Sequence, residues 1–392
     1  MDWNHTLSRQ VVDLPRSGIR EFFDLVTGSK DIISLGVGEP DFVTPWNIRE
    51  AAIFSLEKGH TTYTSNFGLE TLRCAIADYV EDFFGVSYDP TCEILPTVGV
   101  SEAIDLALRC LINPGDEVLY HEPAYVSYAP TVLMAYGKAV PVETSIDDLF
   151  ALNPAKLEAA ITPRTKVLML NFPTNPTGSI APVETLKAIA DICIRHNLVV
   201  LTDEIYSELR YDGEKHVSIA SLPGMKERTL LLHGFSKAFA MTGFRLGYAC
   251  GPRELIELMC KVHSYTMICP TITSQEAGIE ALRNGREAME EMRDSYHMRR
   301  DYIVKRFNDM GMDCHLPGGA FYTFPSIKRF GLSSKDFAVR LLSDARVAAV
   351  PGTAFGSCGE GYLRCCYATG FNQLEQACDK MARFCDSLRP EA

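Results

Sequence analysis

The chain has 392 residues, of which 46% are hydrophobic and 22% charged, which suits a globular protein with a sizeable core and excludes disordered and fibrous classes. A formal charge of -12 with no long basic run argues against a nucleic-acid partner, since phosphate neutralisation needs clustered Lys and Arg. The thirteen cysteines form no C-x-x-C pair and sit mostly in apolar stretches such as those of Cys193, Cys250 and Cys260, so they read as buried, reduced thiols rather than a disulfide framework.

Met1 to Pro15 has no apolar core of signal-peptide type, and no later apolar run reaches membrane length, so the cytoplasm is the expected compartment. From about residue 90 to 250, short β-rich runs alternate with segments of helical period. That rhythm predicts an α/β fold with a mainly parallel sheet covered by helices.

The first run is Glu93 to Pro96; Gly99-Val100-Ser101 then opens a helix whose backbone N–H groups can receive an anion. Ser101 is the expected cap of a helix running to Ile112, with Ala103, Ile104, Ala107, Leu108 and Leu111 on one face. Glu117 to Tyr120 is followed by His-Glu-Pro-Ala-Tyr125, and Val167 to Leu170 by Asn-Phe-Pro-Thr-Asn175-Pro-Thr-Gly. After the amphipathic stretch Val183 to Arg195, Leu198 to Thr202 leads into Asp203-Glu-Ile-Tyr206. Thr229 to His233 leads into Gly-Phe-Ser236-Lys237, and Leu246 to Cys250 is the last run of this part. Ligands of such sheets collect at the carboxyl ends of the strands, so these polar, aromatic and ionisable groups converge on one edge.

The C-terminal third opens with a charged helix, Arg286 to Met310, passes Gly318-Gly319-Ala320-Phe321 and reaches a β-like Tyr362 to Tyr367; it reads as a smaller α+β domain. The expected division is a large domain over 46–285 and a small one over 1–45 plus 286–392.

From about Leu35 to Thr369 the sequence resembles the class I/II aminotransferases, which are fold-type I enzymes dependent on pyridoxal 5′-phosphate (PLP). The strongest part is Ser236-Lys237-Ala-Phe-Ala-Met-Thr-Gly-Phe-Arg245-Leu-Gly-Tyr. The resemblance implies that Lys237 holds PLP as a Schiff base and later shuttles a proton, work suited to a partly desolvated amine. Ser236 and Arg245 bracket Lys237 at spacings that suit the cofactor phosphate, which the N–H groups around Val100 and Ser101 can also receive.

Asp203 fits the carboxylate that the pyridine nitrogen requires; at about 4 Å and an effective dielectric near 20 the pair is worth about 4 kcal/mol, or about three pKa units. The family pattern further implies Asn175 and Tyr206 on the cofactor 3-oxygen, Tyr125 stacked on its ring, and Arg364 with Gly38 at the substrate α-carboxylate. Tyr63 resembles the tyrosine that reaches a neighbour's phosphate, which implies a homodimer with shared sites.

The implied activity is transfer of an amino group from an L-amino acid to a 2-oxo acid, 2-oxoglutarate by expectation, in ping-pong order. The segment Ser17-Gly-Ile-Arg-Glu-Phe-Phe with Gly36-Val-Gly-Glu-Pro-Asp looks like the subgroup of aspartate, aromatic and broad-range enzymes, and Ser17, Gly18 and Ile19 are candidates to cover the pocket. A PLP-dependent carbon–sulfur lyase or cyclopropane-forming synthase stays open as an alternative, because those relatives share the lysine, aspartate and arginine. A non-catalytic PLP-binding regulator would need a basic helix-turn-helix segment, and none precedes residue 35. No metal site is expected from nine scattered histidines without H-E-x-x-H spacing, and the Gly-x-Gly at Gly36 lacks the third glycine of a dinucleotide site.

Overall fold

The computed structural model describes residues 1, 3–15, 31–213 and 215–388, and every structural statement below concerns those residues. Twelve strands are labelled in chain order. They are β1 (Ile33–Ser34), β2 (Ile94–Thr97), β3 (Glu117–Glu122), β4 (Lys138–Glu143), β5 (Thr165–Asn171), β6 (Val199–Asp203), β7 (Thr229–Gly234), β8 (Gly247–Cys250), β9 (Tyr322–Thr323), β10 (Val347–Ala348), β11 (Val350–Pro351) and β12 (Leu363–Cys366).

Seven of them form the main sheet, in the order β2-β8-β7-β6-β5-β3-β4. β8 runs antiparallel to both of its neighbours, while the pairs among β3 to β7 are parallel, so the sheet is mixed, and mainly parallel as expected. Successive side chains of a strand point to opposite faces, and β5 shows it: Val167 and Met169 pack with the Val100–Leu111 and Arg253–Thr266 helices, Leu168 and Leu170 with the Val183–Arg195 helix. Both faces are therefore covered, which is why these strands read as near-continuous apolar runs.

The C-terminal third holds an antiparallel sheet, β11-β12-β9, with the helices Arg286–Met310, Ser334–Ala345 and Phe371–Ser387. A parallel pair, β1 with β10, ties the N-terminal segment to the C-terminal third. One apolar core runs from Leu231 and Tyr248 of the main sheet to Phe307, Leu341, Leu374 and Met381 of those helices. Among the described residues no helix is long and apolar enough to cross a membrane.

Two local expectations change. The helix expected to be capped by Ser101 starts at Val100 on Gly99, whose φ of 76° only glycine adopts readily, and no side chain caps it. All thirteen cysteines are free, but Cys74, Cys92, Cys110, Cys269 and Cys358 are only partly buried.

Candidate active site

At the C-terminal edge of β3, β5, β6 and β7 lies a cavity of about 520 Å³. Gly38, Val100, Ser101, Tyr125, Asn175, Asp203, Tyr206, Ser236, Lys237, Arg245 and Arg364 all line it. The parallel register brings the groups together: Asn171 and Asp203 are paired at the ends of β5 and β6, and Ser236 and Lys237 leave β7 two and three residues after its last, Gly234. Tyr63 lies outside this cavity and is 79% exposed. Ser17, Gly18 and Ile19 fall outside the described residues.

Lys237 sits where the turn after β7 is anchored by the fully buried Phe235. Its Nζ donates to the Gly38 carbonyl at 2.7 Å and lies 5.8 Å from the centre of the Phe321 ring. Burial disfavours the ammonium form and lowers this lysine's pKa to about 8, with Arg364 and Arg245 pushing the same way and Glu39 opposing. About a tenth is thus a free amine at pH 7, far more than for an ordinary lysine, and this is the form that attacks an aldehyde.

Asp203 is buried, and burial raises its pKa to about 6 against the pull of two hydrogen bonds. The Tyr128 hydroxyl donates to Oδ2 at 2.7 Å and the Ile205 N–H to Oδ1 at 3.3 Å, while Asn171 Nδ2 donates to the Asp203 carbonyl at 2.8 Å. Among the described residues no cation forms an ion pair with it. Tyr128 was not anticipated from the sequence; it lies one helical turn beyond Tyr125, and the two rings meet edge to face at 5.6 Å.

Arg364, on β12, is 2% exposed and is held between aromatic faces, with its guanidinium 4.7 Å from the Tyr322 ring and 4.8 Å from that of Phe355. Nη1 donates to Asn175 Oδ1 at 3.1 Å and Nη2 to the Gly36 carbonyl, but Nε is buried with no partner. The Tyr206 and Tyr322 hydroxyls lie 2.9 Å apart, and a Cβ at Gly38 would overlap the Tyr322 hydroxyl. Tyr322, which also lines the cavity, was missed by motif reading, as was Phe355, which backs Arg364 without lining the cavity.

Another part of the cavity lining suits an anion. The first N–H groups of the Val100–Leu111 helix open there, beside Ser236 and Arg245. A Cβ at Gly99 would come within 2.7 Å of Arg245 Nη2, so the guanidinium rests on the helix start, and its Nη1 is fixed by the Thr242 carbonyl at 3.2 Å. Gly247 makes the approach possible from the other side, since a Cβ there would stand 2.6 Å from Val100 N.

These features fit PLP on their own terms. A buried carboxylate without a cation partner suits a pyridine nitrogen, a helix start with Arg245 suits a phosphate, and a partly neutral lysine in the same cavity suits the aldehyde. The unpartnered Arg364 Nε suits a carboxylate.

Comparison with known proteins agrees. Residues 30–381 match the family model "Aminotransferase class I and II". The chain is 47% identical over 369 residues to an aspartate aminotransferase of Pyrococcus abyssi, covering 94% of this chain and 95% of that one. It is 46% identical over 369 residues to aromatic-amino-acid aminotransferase 2 of Thermococcus litoralis, again covering 94% of this chain and 95% of that one. The crystal structure of an aromatic aminotransferase from Pyrococcus horikoshii superimposes with a TM-score of 0.90 at 45% identity, covering 94% of this chain and 99% of that one. The chain belongs to the class I and II aminotransferases, and it is a PLP-dependent aminotransferase of fold type I.

Proposed function

We propose that the protein moves the α-amino group of an L-amino acid to a 2-oxo acid, 2-oxoglutarate being the expected acceptor, in two ping-pong half-reactions that share one site. The observation that carries this reading is the presence in one cavity of a lysine depressed to a pKa of about 8 and a buried arginine with an unpartnered Nε. PLP, when bound, supplies an electron sink for the pair left on the substrate Cα as its proton departs.

The chain's own residues do the rest. Lys237 Nζ would take the proton from the substrate Cα and return it across the amino nitrogen, in a 1,3-shift to the carbon that the cofactor aldehyde supplies, and Arg364 binds the α-carboxylate with Gly38 beside it. Asp203 keeps the pyridine nitrogen cationic, with Tyr128 holding the carboxylate in place. Asn175 and Tyr206 serve the 3-oxygen, Tyr125 stacks on the ring, and Ser236, Arg245 and the N–H groups at Val100 and Ser101 hold the phosphate.

The donor is an aromatic amino acid or aspartate, in keeping with the activities named for the relatives. Tyr63, exposed and outside its own chain's cavity, serves the partner's phosphate in a cytoplasmic homodimer with shared sites. We retain the division into 46–285 and 1–45 plus 286–392, with the Arg286–Met310 helix opening the second part.

The test is to add single L-amino acids to the PLP-loaded protein without any oxo acid. One equivalent of 2-oxo acid per site, with a change in cofactor absorbance that 2-oxoglutarate reverses, supports transamination and ranks the donors. Pyruvate and ammonia accumulating without an acceptor would overturn it in favour of a lyase. Lys237→Ala should abolish turnover in a protein that stays folded.

A further inference from the structure

Glu122 is the last residue of β3, is only 5% exposed and forms no ion pair among the described residues. Its carboxylate points away from the catalytic cavity toward the loop 352–359 that precedes β12. Oε1 accepts from Ser357 Oγ at 3.2 Å and from the Cys358 N–H at 3.3 Å, and Oε2 accepts from the Tyr120 hydroxyl at 3.4 Å. A Cβ at Gly356 would overlap the carboxyl group, so the loop backbone lies directly on it.

The same loop is held at two more places. The Ala124 N–H donates to the Phe355 carbonyl at 2.9 Å, and the Gly352 N–H to the Tyr362 carbonyl at 2.8 Å. Phe355, 3% exposed between these ties, is the ring that faces the Arg364 guanidinium at 4.8 Å. The loop thus joins the end of β3 to one wall of the arginine's slot. A buried carboxylate bonded only to neutral donors is costly to hide, yet here it gathers three donors from two parts of the chain.

We propose that Glu122 is a positioning residue for the substrate α-carboxylate: by fixing loop 355–358 against β3 it keeps Phe355 packed on Arg364 and the guanidinium aimed for bidentate binding. The inference rests on the reading of Arg364 as the carboxylate-binding residue. Glu122 touches no reacting atom, so its removal acts on binding of both substrates, each of which carries the carboxylate, and spares the proton transfers at Lys237.

The experiment is steady-state kinetics on PLP-loaded enzyme for Glu122→Ala, Glu122→Gln, Ser357→Ala and Arg364→Lys, with cofactor absorbance and Tm recorded for each. Glu122→Ala is expected to raise KM for the amino acid and the oxo acid about tenfold with kcat within about twofold, and Ser357→Ala to raise both about threefold. Glu122→Gln, which keeps the volume and an acceptor oxygen, should restore both KM values to within about twofold of the parent. The proposal is overturned if KM stays at the parent value in Glu122→Ala and Ser357→Ala while Arg364→Lys raises it. It is equally overturned if Glu122→Ala lowers kcat and Tm together without a selective rise in KM. If Arg364→Lys itself leaves KM unchanged, the carboxylate-site reading fails instead.

Discussion

The Tyr128 hydroxyl donates to Asp203 Oδ2 at 2.7 Å, joining two buried groups 75 positions apart in the chain. This bond favours the ionised carboxylate, opposing the burial that raises its pKa to about 6. The tyrosine itself pays for the neighbouring charge, since burial and Asp203 together push its hydroxyl well above the ordinary tyrosine range. The pair is therefore set with the proton on the tyrosine and the charge on the aspartate, the arrangement a pyridine nitrogen needs.

Tyr128→Phe removes that donor and leaves the carboxylate with the Ile205 N–H alone. A hydrogen bond to a charged group is worth about 1.5–3 kcal/mol, so its loss makes the carboxylate harder to ionise and the PLP dissociation constant should rise about tenfold at about pH 6, where ionisation is incomplete. Loss of the bond raises the Asp203 pKa, so the defect should be larger at about pH 6 than at about pH 8. Cofactor titration at the two pH values checks this; an equal defect at both would show that the bond is only structural.

Lys237 gives a second pH signature. Its amine is held to a pKa of about 8 by burial. The rate at which cofactor-free protein takes up PLP should therefore climb as pH rises through about 8, because only the neutral amine attacks the aldehyde. Stopped-flow uptake between about pH 6.5 and 10 would show it, and a midpoint near the ordinary lysine value of about 10.4 would contradict the desolvated environment.

Gly247→Ala should couple stability to cofactor affinity. A Cβ there would stand 2.6 Å from Val100 N and 2.7 Å from the Gly99 carbonyl carbon, both backbone atoms that cannot turn aside. β8 and the helix start must separate, costing about 1–3 kcal/mol and spoiling the N–H cradle for the phosphate. Calorimetry of the cofactor-free variant should show a lower Tm and PLP titration a weaker complex; a weaker complex at unchanged Tm would mean the cradle moved without strain.

Much of this site was legible because its residues follow apolar runs directly. Asp203 ends β6, and Ser236-Lys237 follows β7 by one buried aromatic, so strand recognition and strand-end chemistry located them together. Tyr322 and Phe355 gave no such signal. Tyr322 is one of three aromatics in Phe321-Tyr-Thr-Phe324 and Phe355 a lone ring in a glycine-rich loop, and only the packing of β9 and loop 352–359 around β12 turns them toward Arg364. The antiparallel direction of β8 was hidden for a similar reason, since Leu246 to Cys250 has the same apolar character as its parallel neighbours. Tyr128 was within reach, because its spacing from Tyr125 is one helical turn and the Tyr128–Met134 helix begins there.

Asp203→Asn separates what the carboxylate does for catalysis from what it does to the fold. In the cofactor-free protein its pKa is raised by burial from an ordinary 3.8 to about 6. A raised acid binds its proton more tightly when folded, so its stabilising contribution is full below about pH 4 and is lost as pH rises through about 6. The difference amounts to about 3 kcal/mol at neutral pH. The asparagine cannot ionise and escapes that penalty, so the cofactor-free variant should melt higher than the parent at about pH 7.5 and close to it at about pH 4. PLP reverses the order, because its pyridine nitrogen stabilises the ionised aspartate and not the amide; with saturating PLP the parent should be the more thermostable and the only one with substantial turnover. Melting curves of both proteins at the two pH values, with and without PLP, decide the matter. A cofactor-free variant no more stable than the parent at about pH 7.5 would mean that Asp203 finds enough solvation in the open cavity to titrate as an ordinary carboxylate.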